Sequence, residues 1–139
     1  MIVLDTSFVI ALFRRREARH REATDFYATA EGKFTTTPLV LAEIDYLLST
    51  RDTPPTVEAF HREIRAGTLG VEWWPKLDVA AAEIADRYAE HGLGLTDASL
   101  VALAGRLETN RIASFDERHF RVVEPLTGEV AFELLPADA

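Results

Sequence analysis

Cysteine is absent from this chain, which excludes disulfides, zinc–thiolate centres and thiol nucleophiles and makes a reducing cytoplasm the expected setting. Lysine is nearly absent too, with only Lys33 and Lys76, so thirteen of the fifteen basic residues are arginine. The planar arginine fork suits bidentate contacts with phosphate or carboxylate. Positive charge is scarce overall: fifteen basic against twenty-three acidic residues leave a net charge of −8, which argues against broad adhesion to nucleic acid and leaves room for a local patch. No apolar run approaches the ~18 residues that a membrane span requires. The opening apolar stretch breaks at Asp5, and the cluster Arg14-Arg15-Arg16 follows it, the reverse of the order in a secretory leader. A cytoplasmic protein without membrane association is therefore expected. The four histidines, His20, His61, His91 and His119, show no metal-ligand spacing and read as surface or packing residues.

The 139 residues, 47% hydrophobic and 27% charged, suit one domain over 1–139 with a continuous core. Residues 2–4 read as a buried strand, and the apolar run 8–13 as a helix docked on the core and capped by Thr6 or Ser7. A second helix over 18–30 carries the stripe Ala23, Phe26, Tyr27, Ala30, and 34–36 suits a strand. Pro38 opens a third helix through Leu48, apolar nearly all round, and Pro54-Pro55 closes that unit. Further helices are expected over 57–66, over 77–88, and from a Thr96 cap through Leu107. Strands are expected at 71–74, 112–113 and 130–134, with a short turn around 117–119. Helices alternating with strands indicate an α/β fold, a three-layer arrangement with a central, mainly parallel sheet flanked by helices.

Four acidic residues occupy positions that converge in such a fold. Asp5 and Asp116 follow inner strands, Asp97 opens a helix, and Glu43 sits inside an apolar one. Carboxylates at the carboxyl ends of neighbouring parallel strands and on adjacent helices point into one crevice. Each also has an ordinary explanation: Asp5 and Asp116 as helix caps, Asp97 as a first-turn acid, Glu43 as an edge residue. Glu43 is the hardest to explain so, because an unpaired carboxylate among apolar neighbours is expensive. Asp45 lies about 200° around the helix from it and cannot share its cleft. Two carboxylates ~4 Å apart repel by roughly 4 kcal/mol at an effective dielectric of 20, so a cluster of four calls for a cation. With only oxygen ligands on offer, supplemented by Ser7, Ser114 and water, the site suits Mg²⁺ or Mn²⁺.

The runs Asp5-Thr6-Ser7, Ala42-Glu43, Gly94-Leu95-Thr96-Asp97-Ala98 and Ser114-Phe115-Asp116 followed by His119-Phe120 resemble, in that order, the motif set of PIN-domain ribonucleases, and most closely that of VapC-type toxins of bacterial toxin–antitoxin pairs. The resemblance implies an endoribonuclease in which Asp5, Glu43, Asp97 and Asp116 are the catalytic and metal-binding quartet for Mg²⁺ or Mn²⁺, with Thr6, Ser7 and Ser114 as supporting polar positions. Ser114 stands where the family often has Thr. A metal bridged by Asp5 and Asp97 is expected to activate water for in-line attack, leaving 5′-phosphate and 3′-hydroxyl ends. The resemblance further implies a homodimer, a cognate VapB-type antitoxin whose tail fills the acidic groove, and an RNA substrate, either tRNA or a loop of large-subunit ribosomal RNA. A non-toxin PIN-domain RNA-processing nuclease and a non-catalytic α/β interaction module are the alternative readings. A phosphatase fits poorly, since such enzymes want a second Asp where Ser7 stands and a nearby Lys.

Arg14, Arg15 and Arg16, continued by Arg19 and Arg21, either guide an RNA backbone towards the cleft or form the solvated end of one helix and the start of the next. Trp73 and Trp74 are consecutive residues of an expected strand and face opposite sides, so one is expected in the core and the other at an interface.

Overall fold

The structure is a computed structural model that describes residues 1–139. Five short strands, β1 (Ile2–Leu4), β2 (Phe34–Thr36), β3 (Gly70–Val71), β4 (Arg111–Ala113) and β5 (Glu133–Leu135), form one sheet in the order β3-β2-β1-β4-β5. Every pairing is parallel. Seven α-helices flank it: α1 (Thr6–Phe13), α2 (His20–Thr29), α3 (Pro38–Arg51), α4 (Pro54–Ala66), α5 (Leu77–Arg87), α6 (Leu95–Arg106) and α7 (Glu117–Phe120). A single 3₁₀ turn, Ala89–His91, precedes α6. The expected three-layer α/β arrangement is thus present.

The strand order places β1 at the centre. The chain winds outward from it through β2 and β3, then returns to add β4 and β5 on its other side. The β1/β4 boundary is therefore the switch point of the sheet, where a crevice opens beyond the strand ends. The core explains why β1 holds this position: Ile2, Val3 and Leu4 are fully buried, as expected of a strand covered on both faces. Helix α6 packs on β1 and is buried from Ala98 through Ala104, so its small residues bring Asp97 close to the sheet.

Several boundaries differ from the sequence reading. Asp5, not Thr6 or Ser7, caps α1, accepting from Ser7 N at 3.4 Å. Thr96 lies inside α6, whose cap position belongs to Gly94. Pro54 opens α4 instead of closing α3, because a proline at the first helical position gives up an N–H that has no helical partner there. The edge strand β3 ends at Val71, well short of Trp74. Its last bond is Glu72 N to Thr36 O, after which β2 gives way to Thr37, the cap of α3, and Trp73 and Trp74 have no strand to pair with. Trp73 is 73% exposed, while Trp74 packs against the core with the Arg106 guanidinium 5.2 Å from its ring centre. Strand β5 starts at Glu133 because three-residue β4 offers partners only to Glu133, Leu134 and Leu135. Val130, expected in that strand, is 95% exposed. Helix α3 is not apolar nearly all round: Val40, Ile44 and Leu48 are buried along one stripe, and Tyr46 is exposed.

Candidate active site

Register builds the floor of the site. Val3 pairs with Ile112 and Leu4 with Ala113, so the next residues, Asp5 and Ser114, emerge side by side. Ser114 Oγ donates to Asp5 Oδ2 at 2.7 Å, and Ser7 Oγ donates to the same oxygen at 2.6 Å. Ser7 Oγ in turn accepts from Phe115 N at 2.9 Å, and Ser114 Oγ accepts from Asp116 N at 3.0 Å. Two hydroxyls and two backbone amides thereby tie the ends of β1 and β4 together, and Asp5 Oδ1 keeps no side-chain partner. Beside it Thr6 Oγ1 is buried with no hydrogen-bond partner.

Asp5, Glu43, Asp97 and Asp116 line one cleft of about 520 Å³ over the switch point, together with Thr6, Ser7 and His119. Glu43 reaches it from α3, whose start is fixed by Thr37: its hydroxyl accepts from Val40 N at 3.3 Å and lies 2.8 Å from Ser99 Oγ of α6. That link sets the two helices carrying Glu43 and Asp97 against each other. Glu43 is half-buried and has no hydrogen-bond or ion-pair partner, whereas Asp45 turns to His61 of α4 at 2.5 Å. The two acids of α3 therefore face different surroundings, as the helical period requires. Asp116 caps α7, accepting from Arg118 N at 3.2 Å.

The electrostatics record the crowding. Burial pushes the Asp5 carboxyl up to about 6 against the pull of the Ser7 and Ser114 hydroxyls, and the Asp97 charge adds to the rise. Asp97 is raised as well, first by burial, then by the charges of Glu43 and Asp116, with His119 pulling the other way. The four carboxylates share the walls of the cleft without closing on a point, and no three acidic or histidine side chains stand together as a finished metal site. Asp5 Oδ2 is held by the serines and Asp97 Oδ2 by His119, and the like charges repel. The donor set nonetheless fits a hard divalent cation: it is all oxygen, its two most buried carboxyls resist ionisation, and a hydroxyl in the wall lacks a partner.

His119 is the residue that sequence reasoning misplaced. It lies in the cleft, where Nδ1–H donates to Asp97 Oδ2 at 2.7 Å. Its signal was the spacing to Asp116, one turn along a short helix, which brings both residues to the same side. Arg19, one of the arginines that continue the run from Arg14, lines the cleft, and so does Arg51, which the sequence did not single out. Arg14, Arg15 and Arg16 do not line it. Arg14 is engaged by Glu17 at 2.5 Å and Asp52 at 3.1 Å, while exposed Arg15 and Arg16 border a separate groove with Arg51. No lysine lines the cleft, which leaves the phosphatase reading without its cation.

The family model described as PIN domain matches residues 2–125. The chain belongs to the PIN domain family. Within that family its likeness is to VapC-type proteins. It is 31% identical over 133 residues to ribonuclease VapC26 of Mycobacterium tuberculosis, covering 91% of this chain and 95% of the relative. Among solved structures it resembles VapC20 of M. tuberculosis, a toxin described as cleaving the sarcin–ricin loop, with a TM-score of 0.77 and 28% identity over 84% of this chain and 91% of that one. FitAcB of Neisseria gonorrhoeae shares the fold at a TM-score of 0.57 and 18% identity, over 84% of this PIN domain and 88% of that chain.

Proposed function

We propose that this PIN domain, spanning 1–139, is an Mg²⁺- or Mn²⁺-dependent endoribonuclease toxin of a toxin–antitoxin module, acting on RNA in the cytoplasm to inhibit translation. The observation that carries the reading is the meeting of Asp5, Glu43, Asp97 and Asp116 in one cleft at the β1/β4 switch point. Asp5 and Asp97 are the inner ligands in this reading, Asp5 through the oxygen its serines leave free and Asp97 in the orientation set by His119. Glu43 and Asp116 stand on the outer walls. A divalent cation bound there supplies a nucleophilic water at neutral pH and offsets charge on the phosphate. Ser7 and Ser114 hold the Asp5 carboxylate in position, and burial around Asp5 and Asp97 keeps the field strong by excluding bulk water.

The target proposed is the ribosomal-RNA loop class, supported by the likeness to VapC20 and by the accessibility of splayed loop bases compared with duplex edges. A second copy of the chain and a cognate VapB-type antitoxin belong to the same reading. Four carboxylates in one cleft form a receptor for an arginine inserted by that antitoxin. No helix is long and apolar enough to cross a membrane. The test is incubation of the antitoxin-free protein with intact ribosomes and total bacterial RNA, with and without Mg²⁺ or Mn²⁺, beside an Asp97→Asn variant. Metal-dependent cuts bearing 5′-phosphate and 3′-hydroxyl ends, lost in the variant, are expected. Equal cutting by the variant, or cyclic-phosphate ends, refutes the mechanism.

A further inference from the structure

A cleft walled by carboxylates repels the polyanion it is meant to receive, so cations must hold the strand on either side of it. Only two of the residues lining the cleft are arginine or lysine, Arg19 and Arg51, and both do more than line it. Arg51 is shared with a neighbouring groove bordered by Arg15 and Arg16. Arg19 is shared with a second groove, beyond Phe115, that is bordered by Arg118. The three depressions thus run into one another, and an arginine stands at each junction.

The two junctions are built differently. Arg19 lies just before α2, and its guanidinium sits 4.4 Å above the centre of the Phe115 ring, which is itself stacked on buried Phe8. Glu22 grips one edge of the guanidinium through Nε at 2.5 Å and Nη2 at 3.1 Å, so Nη1 is left without a partner. A planar cation fixed on an aromatic face with one open edge is preorganised for a phosphate oxygen. Arg51, in the last turn of α3, is exposed and has no carboxylate partner, while neighbouring Arg14 has two. Its charge is therefore available where that of Arg14 is committed.

We propose that a single RNA strand crosses the acidic cleft with its backbone held by Arg51 on one side and Arg19 on the other, continuing into the grooves bordered by Arg15 and Arg16 and by Arg118. This assignment rests on the ribonuclease reading above, and it moves the principal phosphate contacts away from the Arg14–Arg16 run to the two arginines at the cleft itself.

The experiment uses the full chain carrying Asp97→Asn, so that RNA is bound without turnover, and a fluorescein-labelled single-stranded RNA oligonucleotide followed by anisotropy over a range of salt. Arg19→Ala and Arg51→Ala are each expected to weaken binding and to reduce the slope of log K against log salt by about 0.7, the value of one phosphate contact on a single strand. Arg87→Ala, on α5 and outside all three grooves, is expected to change neither. Glu22→Gln releases the gripped edge of Arg19 and is expected to tighten binding by on the order of fivefold, a gain that disappears once Arg19 is Ala. Slopes and affinities for Arg19→Ala and Arg51→Ala equal to those of the Asp97→Asn parent, with RNA still bound, overturn the strand path and leave the nuclease reading intact. Failure of the Asp97→Asn chain to bind RNA, together with no metal-dependent cleavage by the unsubstituted chain, overturns both.

Discussion

Replacing Asp5 with Asn is expected to stabilise the protein at neutral and alkaline pH while abolishing its activity. The carboxyl is 3% exposed and lifted from its ordinary 3.8 to about 6, chiefly because burial penalises the charged form. In the window between those values the unfolded chain has released its proton and the folded chain has not. Stability therefore falls as pH rises through the window, and above about pH 6 the whole penalty is present. At 1.36 kcal/mol per pH unit the difference amounts to about 3 kcal/mol. Asparagine avoids it at little cost, since it caps helices as well as Asp does and its Oδ1 can accept the same Ser7 and Ser114 hydroxyls. Urea midpoints for the two proteins should separate by the equivalent of about 3 kcal/mol near pH 8 and converge below about pH 4. Adding Mg²⁺ at the higher pH should restore stability to the parent alone, since a cation beside Asp5 offsets the charge that burial opposes. A variant no more stable than the parent at pH 8, or an advantage that persists undiminished to pH 4, would refute the idea that Asp5 is held in the fold at an electrostatic cost.

Removing the His119 imidazole frees Asp97 Oδ2 from its 2.7 Å bond, so His119→Ala should lower metal-dependent cleavage about 10- to 100-fold and raise the Mn²⁺ concentration needed for half activity. His119→Gln, which keeps an N–H donor, should recover part of both; equal rates for Ala and the parent would assign the imidazole to packing. On α3, Glu43→Gln should abolish cleavage while Asp45→Asn leaves it unchanged, because one side chain lines the cleft and the other faces His61. Parallel single-turnover rates for the two variants decide this, and equal losses would remove the distinction between the two faces of the helix.

The fold was legible wherever hydrophobic pattern and length agreed: Ile2-Val3-Leu4 as a buried strand, the stripe on α2, and the alternation of helix and strand that demands a parallel sheet. The strand ends at Trp74 and Val130 were misjudged because they depend on partners. A β-prone run pairs only as far as its neighbour extends, and β2 turns into a helix at Thr37. Positions of the four acids in one cleft followed from topology, since the carboxyl ends of adjacent parallel strands lie together whatever the intervening sequence. The surroundings of those acids were not legible. That His119 orients Asp97, that two serines share one oxygen of Asp5, and that Arg14 is committed to Glu17 and Asp52 are matters of side-chain rotamer and of helix-to-helix distance. Local sequence carries no trace of either beyond the short spacings of His119 from Asp116 and of Arg14 from Glu17.

The bond from Ser114 to Asp5 joins residues 109 positions apart, and it spans the boundary between the first strand of the sheet and the fourth. During synthesis Asp5 leaves the ribosome early and waits, without its hydroxyl pair, until β4 emerges and docks. A prematurely terminated product lacking β4 has Asp5, Glu43 and Asp97 but neither the Ser114 hydroxyl that holds Asp5 nor the wall that Phe115, Asp116 and His119 contribute to the cleft. Only a chain translated past Asp116 carries all four acids of the cleft and both serines that hold Asp5.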